Sequence, residues 1–326
     1  MSWVDNIHRK AEIIHGQIAW WLNQPGVDSA AACAPYYELL KQIYSEDLPF
    51  ALVMDESDIV FRMNGPAVDR AAPTMAAVTN VFKDIREQIG KVARAIVGLA
   101  ETEQTAPFNV DLALSGMAKG SLVIGVKIAN PCQPESGENY SVFGDDEPLT
   151  LAVRSAVRQI AVVTRYLSEE GIDPALAKAI HDPAIRDTVV IAAHQLSPSG
   201  RNGIDKVQIF SADQRESGHT MTPKVRRAIA SNVKRPVRSQ DRAEFIGTIR
   251  EIDLDAKRFE VRGVRDTGSI RCYYSENYIG QEDGLLNQHV RVSGLVERLD
   301  GKPRLMQVEQ IEAVFVPSNG DLFNPG

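Results

Sequence analysis

Seven cations crowd one short stretch of this chain: Lys224, Arg226, Arg227, Lys234, Arg235, Arg238 and Arg242 lie between Thr222 and Arg242, where Asp241 is the only acid. Elsewhere acid prevails, with 43 Asp and Glu against 36 Lys and Arg and a net charge of −7. Whole-molecule charge therefore does not mark a polyanion binder, but a local basic surface does phosphate chemistry of its own. Each Lys or Arg that neutralises a phosphate releases counterions, whatever the base sequence. On that ground Lys224, Arg226, Arg227, Lys234, Arg235 and Arg238 are expected to contact a nucleic-acid backbone. The competing reading is a solvated helix and linker, neutralised by the acidic segment that follows.

A second group of donors occupies Ser197-Pro198-Ser199-Gly200-Arg201-Asn202-Gly203. Backbone N–H groups, hydroxyls and a guanidinium make Ser199, Gly200 and Arg201 a candidate anion site. The loop follows a helix, however, and the negative end of a helix dipole opposes an anion there. Gly116-Met117-Ala118-Lys119-Gly120-Ser121 has the composition of a phosphate cradle but lacks the Gly-Lys-Ser/Thr order, and a strand follows where a helix should. It reads as a hairpin turn.

Catalysis and metal binding have no comparable signal. The six histidines, His8, His15, His181, His194, His219 and His289, form no HExxH or HxH spacing, and no GxSxG accompanies a serine. His8 and His15 share a helix face, but two turns of helix separate them by about 10 Å. His194, in an apolar helix, reads as a core or boundary histidine. Asp55 and Asp58 could hold a divalent cation; no third ligand lies near them in sequence, and a solvated turn is the plainer reading. Cys33, Cys132 and Cys272 are far apart, which argues against zinc and disulfide frameworks and for a reducing compartment. No apolar run reaches the roughly 18 residues of a membrane span, and the first residues lack a signal-peptide core. The expectation is a soluble cytoplasmic protein with no cofactor, no metal and no catalytic centre.

The elements that must position these residues follow from apolar periodicity. Val4, Ile7, Ala11, Ile14, Ile18 and Leu22 predict an opening helix, and a second is expected from Pro35. Phe50–Met54 and Ile59–Met63 read as two strands of a hairpin around Asp55-Glu56-Ser57-Asp58. Met75 to Leu99 predicts the longest helix. Asn109–Ile128 reads as paired strands, 132–148 as an exposed loop, and Leu149–Leu167 as a helix. Asp182-Pro183 starts another helix, through Leu196, and Thr222-Pro223 a last one, which Pro236 ends.

From Glu244 to Val314 the period changes to short alternating strands. These include Phe259–Val261 up to a bulge expected at Gly263, then Ile270–Tyr274, a helix-like interruption, Val290–Val296, a turn at Asp300-Gly301-Lys302-Pro303, and Leu305–Val314. Five strands with a break between third and fourth resemble an OB-fold module. That resemblance covers about a fifth of the chain and implies that aromatic and basic side chains of the second and third strands meet a ligand. Phe259, Arg262, Arg271, Tyr273 and Tyr274 come into question, with Tyr273 and Tyr274 on opposite faces; Arg271 and Tyr273 join the expected nucleic-acid contacts.

The fold class expected is α+β: a helix-rich region with β-hairpins over residues 1–238, then a five-stranded OB-like barrel and short tail over 239–326. Residues 243–315 are expected to complete the barrel without borrowed strands. The function expected is non-enzymatic binding of single-stranded nucleic acid at the basic junction and barrel. The alternative is an interaction or regulatory subunit that docks a partner protein, with no nucleic acid or membrane.

Overall fold

The computed structural model describes residues 2–69, 73–97, 112–118, 121–128, 148–211, 220–265, 267–274 and 282–314. Cys132, His219 and the loop expected at 132–148 lie outside them, except Pro148, which begins a helix.

Three helices open the chain. Helix α1 (Trp3–Leu22) starts at a reciprocal cap in which Ser2 and Asp5 each bond the other's backbone N–H. Its apolar side, Ile7, Ala11 and Ile18, packs on α2 (Ser29–Gln42) and α3 (Leu48–Glu56), which a π-helical turn at Ile43–Asp47 connects. Helix α2 begins earlier than expected, because the Asp28 carboxylate accepts from the N–H groups of Ala30 and Ala31; Pro35 sits inside it.

The expected hairpin at Phe50–Met54 is not there. That run is helical: Pro49 sits in the first turn of α3, where its missing N–H costs nothing. A short apolar run carries no period of its own, and here it is buried on two sides, between the α1–α2 pair and a sheet. The two carboxylates weighed for a cation are also otherwise engaged. Asp55 accepts from Trp3 N and Val4 N at 2.8 and 2.9 Å, and Asp58 accepts from Ile128 N at 2.7 Å. Among the described residues no group of three His, Cys, Asp or Glu could hold a metal.

Strand β1 (Ile59–Asn64) is followed by α4 (Met75–Val97), the hairpin of β2 (Leu112–Ala118) and β3 (Leu122–Ile128), and α5 (Pro148–Val163). A two-residue ladder, β4 (Leu167–Ser168) with β5 (Gly171–Ile172), and a single turn, α6 (Leu176–Ala179), lead to α7 (Pro183–Leu196), β6 (Lys206–Ser211) and α8 (Pro223–Lys234). The sheet order is β2-β3-β1-β6, antiparallel throughout. Ile59, Phe61 and Met63 face a core shared with α4, α5 and α7, while Val60, Val123 and Phe210 meet Val53 and Met54 of α3. Two covered faces explain why β1 reads as a continuous apolar run.

The C-terminal region is a closed five-stranded barrel: β7 (Arg242–Asp253), β8 (Arg258–Val264), β9 (Gly268–Tyr273), a short helix α9 (Glu282–Leu285), β10 (His289–Leu299) and β11 (Lys302–Ala313). Strands β7-β8-β9 form a meander and β10-β11 a hairpin. Antiparallel pairing of β10 with β7 and parallel pairing of β11 with β9 close the ring, so no strand edge stays open. Ile249, Val261, Ile270, Val290, Val292 and Met306 fill it. Gly263, at φ 74°, marks the expected bulge, with a register shift between Arg262 and Val264. Asp300 and Gly301, both with positive φ, make the tight turn between β10 and β11.

Candidate nucleic-acid interface

Helix α8 is built to show one face. Thr222 Oγ1 accepts from Val225 N at 3.3 Å, Pro223 occupies the first turn, and Val225 and Ile229 are buried. Residues 224, 227, 231 and 234 then fall on one line of the opposite surface. Lys224, Arg227 and Lys234 are all exposed there, and Arg235, also exposed, follows at the helix end. Lys224 lies 3.7 Å from Glu169 in a solvent-exposed pair, and Arg227 Nε donates to Pro223 O. Among the described residues Lys234 and Arg235 meet no acid.

Arg226 belongs to the same sequence cluster but faces the other way. Its Nη1 donates to the carbonyls of His194, Ser197 (2.7 Å) and Gln195 (3.3 Å), the unpaired end of α7. Burial lowers the Arg226 pKa, and burial together with the Arg226 charge pushes His194 down to about 4. His194 is thus a neutral, half-buried side chain. Arg238 is exposed; its backbone N–H reaches Glu297 Oε2 and its guanidinium touches Pro174 O at 3.5 Å. In the loop after α7, Ser199, Gly200 and Arg201 are all exposed, and Ser199 Oγ accepts from Arg201 N at 3.3 Å. A recess of about 250 Å³ beside them includes Ser199, Asp84 and Arg226, whose guanidinium is already spent on α7.

Arg271 and Tyr273 of β9 sit elsewhere, in a buried charge cluster. Asp187 of α7, 5 % exposed, receives two parallel hydrogen bonds from Arg258 (2.9 and 2.7 Å) and a third from Arg271 Nε (2.8 Å). Burial alone would raise the Asp187 carboxyl; the Arg258 and Arg271 guanidinium groups outweigh it and hold it below the ordinary range. Arg258 also donates to Ala256 O and to Val233 O at the end of α8, and stacks 4.5 Å over the Tyr273 ring. Tyr273, expected to offer a face to a base, is therefore buried beneath an arginine. Tyr274, on the opposite face, is buried inside the barrel against Phe259. Alternation separated the two rings correctly, but α7 covers the outer face of this part of the barrel. Around the cluster Arg186 pairs with Glu297, Arg304 with Asp182, and Lys91 of α4 with Asp253.

No protein-family model matches this chain, and no curated protein is detectably similar to it. The solved structure of the hypothetical protein ygiW from E. coli is similar to part of it. The match has 18% identity over 26% of this chain and 86% of that one, with a TM-score of 0.19. At that score it carries no argument about function.

Asp187, Arg258 and Gln88 escape a reading by motif. Their sequence signals are slight: an acid between Arg186 and Thr188 in an otherwise mostly apolar α7, and an arginine on the outer side of a strand, where solvent is the default expectation.

Proposed function

We propose that this protein is a non-enzymatic nucleic-acid-binding protein, organised as two domains at 1–238 and 239–326, that holds a single strand by its phosphates. Lys224, Arg227, Lys234, Arg235 and Arg238 supply the contacts beside the OB-like barrel. The observation that carries the reading is the alignment of exposed Lys224, Arg227 and Lys234 along one face of α8, continued by Arg235. A closed OB-like barrel is compatible with such a ligand. Arg226, Arg271 and Tyr273 leave the contact set, because α7, Asp187 and Arg258 engage them.

Fluorescence anisotropy with a labelled single-stranded oligonucleotide, across a salt series, tests this. Replacing Lys224, Arg227, Lys234 and Arg235 with glutamine should weaken binding and lower the log–log salt slope by about 0.7 for each phosphate no longer neutralised. Absence of binding by the wild type at low salt would sink the proposal.

One observation favours an interaction subunit as a second reading. Ile13 and Trp20 are exposed on one line of α1, and Tyr37 of α2 is also exposed, an apolar surface of the kind protein partners cover. Binding there would be insensitive to salt and to the α8 substitutions.

A further inference from the structure

A cleft of about 460 Å³ opens between α4 and α7 on one side and strands β7, β8, β9 and β11 on the other. That volume is ordinary for a small-molecule site. Ala95, Ala184 and Ile191 give it an apolar strip, and the Arg258–Asp187–Arg271 cluster adjoins it. Lys91, bonded to both Glu87 and Asp253, ties α4 to β7 at the same cleft.

Gln88 and Arg271 there have unspent hydrogen-bonding capacity. Gln88 lies on the inward side of α4, one turn from Ile85 and Val92, and is 5% exposed; its Oε1 is buried and, among the described residues, has no hydrogen-bond partner. A buried acceptor left unsatisfied forfeits its hydration with nothing in return, whereas leucine at the same position would lose no such interaction. Arg271 spends only Nε on Asp187, and among the described residues nothing pairs with its two Nη atoms. A guanidinium fork of that sort matches two oxygens of a carboxylate or phosphate.

We infer that this cleft binds a small oxyanion that also carries an N–H donor, the oxygens on the Arg271 fork and the donor on Gln88 Oε1. Amino acids and nucleoside monophosphates both answer that description. The site is independent of the α8 surface, so loss of oligonucleotide binding and loss of this binding are separate outcomes.

The test is thermal unfolding and calorimetry of the full chain with AMP, CMP, L-glutamine and L-aspartate at millimolar concentration. A shift with the nucleotides alone assigns a phosphate ligand, and one with the amino acids alone a carboxylate. Gln88→Leu should raise the Tm of the free protein, since it removes the orphan acceptor, and weaken ligand binding about tenfold or more, the worth of one buried hydrogen bond. Arg271→Lys keeps a charge for Asp187 but removes the fork, and should weaken binding similarly. The inference is overturned if none of the four compounds binds. It is equally overturned if binding survives both substitutions unchanged, or if Gln88→Leu lowers the Tm, since Gln88 would then be a structural residue.

Discussion

Arginine does opposite work at two places in this molecule. Along the outer face of α8 Lys224, Arg227 and Lys234 point to water, and among the described residues Lys234 and the adjoining Arg235 meet no acid. At α7 and the barrel, Arg258 and Arg271 converge on one buried carboxylate, which takes both the Nε and Nη2 of Arg258 and the Nε of Arg271. Arg226 belongs to the first group by sequence and to the second by behaviour, because the open end of α7 claims it. The count of cations in a segment therefore says less about ligands than the acceptors that folding brings to them from far away in sequence.

Substitutions can break this contrast in order of size. Asp187→Asn should be the most damaging, about 3–5 kcal/mol in denaturant unfolding, since it leaves two arginines facing each other around a neutral, buried amide. An undiminished unfolding midpoint would show that the cluster contributes nothing. Arg226→Gln should cost about 1.5–3 kcal/mol, the value of hydrogen bonds from a charged donor, while leaving oligonucleotide affinity unchanged. If affinity falls instead, Arg226 belongs with the exposed set.

His194 supplies a pH-dependent test at the same helix end. Its folded pKa, about 4, lies below the ordinary histidine value of 6.5, so the unfolded chain binds the proton first and stability falls as pH drops from about 6.5 to about 4. His194→Leu should remove up to one proton's worth of that slope, measured as unfolding free energy against pH; an unchanged slope would place the dependence elsewhere. The smallest effect should come from Arg242, whose two Nη atoms sit 3.0 Å from Glu309 at an exposed site. Arg242→Ala should cost less than about 1 kcal/mol, and that little should vanish in high salt.

The barrel was legible because its information is local: alternating apolar residues, a glycine at the bulge, and Asp300-Gly301 at a turn that demands positive φ. Helix starts at Asp182-Pro183 and Thr222-Pro223 were legible for the same reason. Phe50–Met54 misled because burial on both sides erases period, and Pro49, the helix signal, is only one residue away. In the candidate site the exposed cations of α8 could be read from their spacing. Arg226, Arg271 and Tyr273 could not, since their partners are carbonyls of α7, Asp187 and Arg258, each placed by tertiary packing alone. Gln88 was hidden in a helix whose stripe otherwise reads as plain core.

The position of β1 in its sheet bears on how the protein is made. Both neighbours of this central strand lie downstream: β3 after the long helix α4, and β6 only once Ser211 has been added. At ordinary synthesis rates of about 5–20 residues per second the ribosome needs on the order of ten seconds between the first strand and the last. Throughout that interval Ile59–Asn64, with apolar Ile59, Val60, Phe61 and Met63, has an unpaired edge. Helices α1 to α3, all emerging earlier, can close over one face of it within that time. The nascent chain thus carries its own cover for one face of this strand, well before the sheet can form.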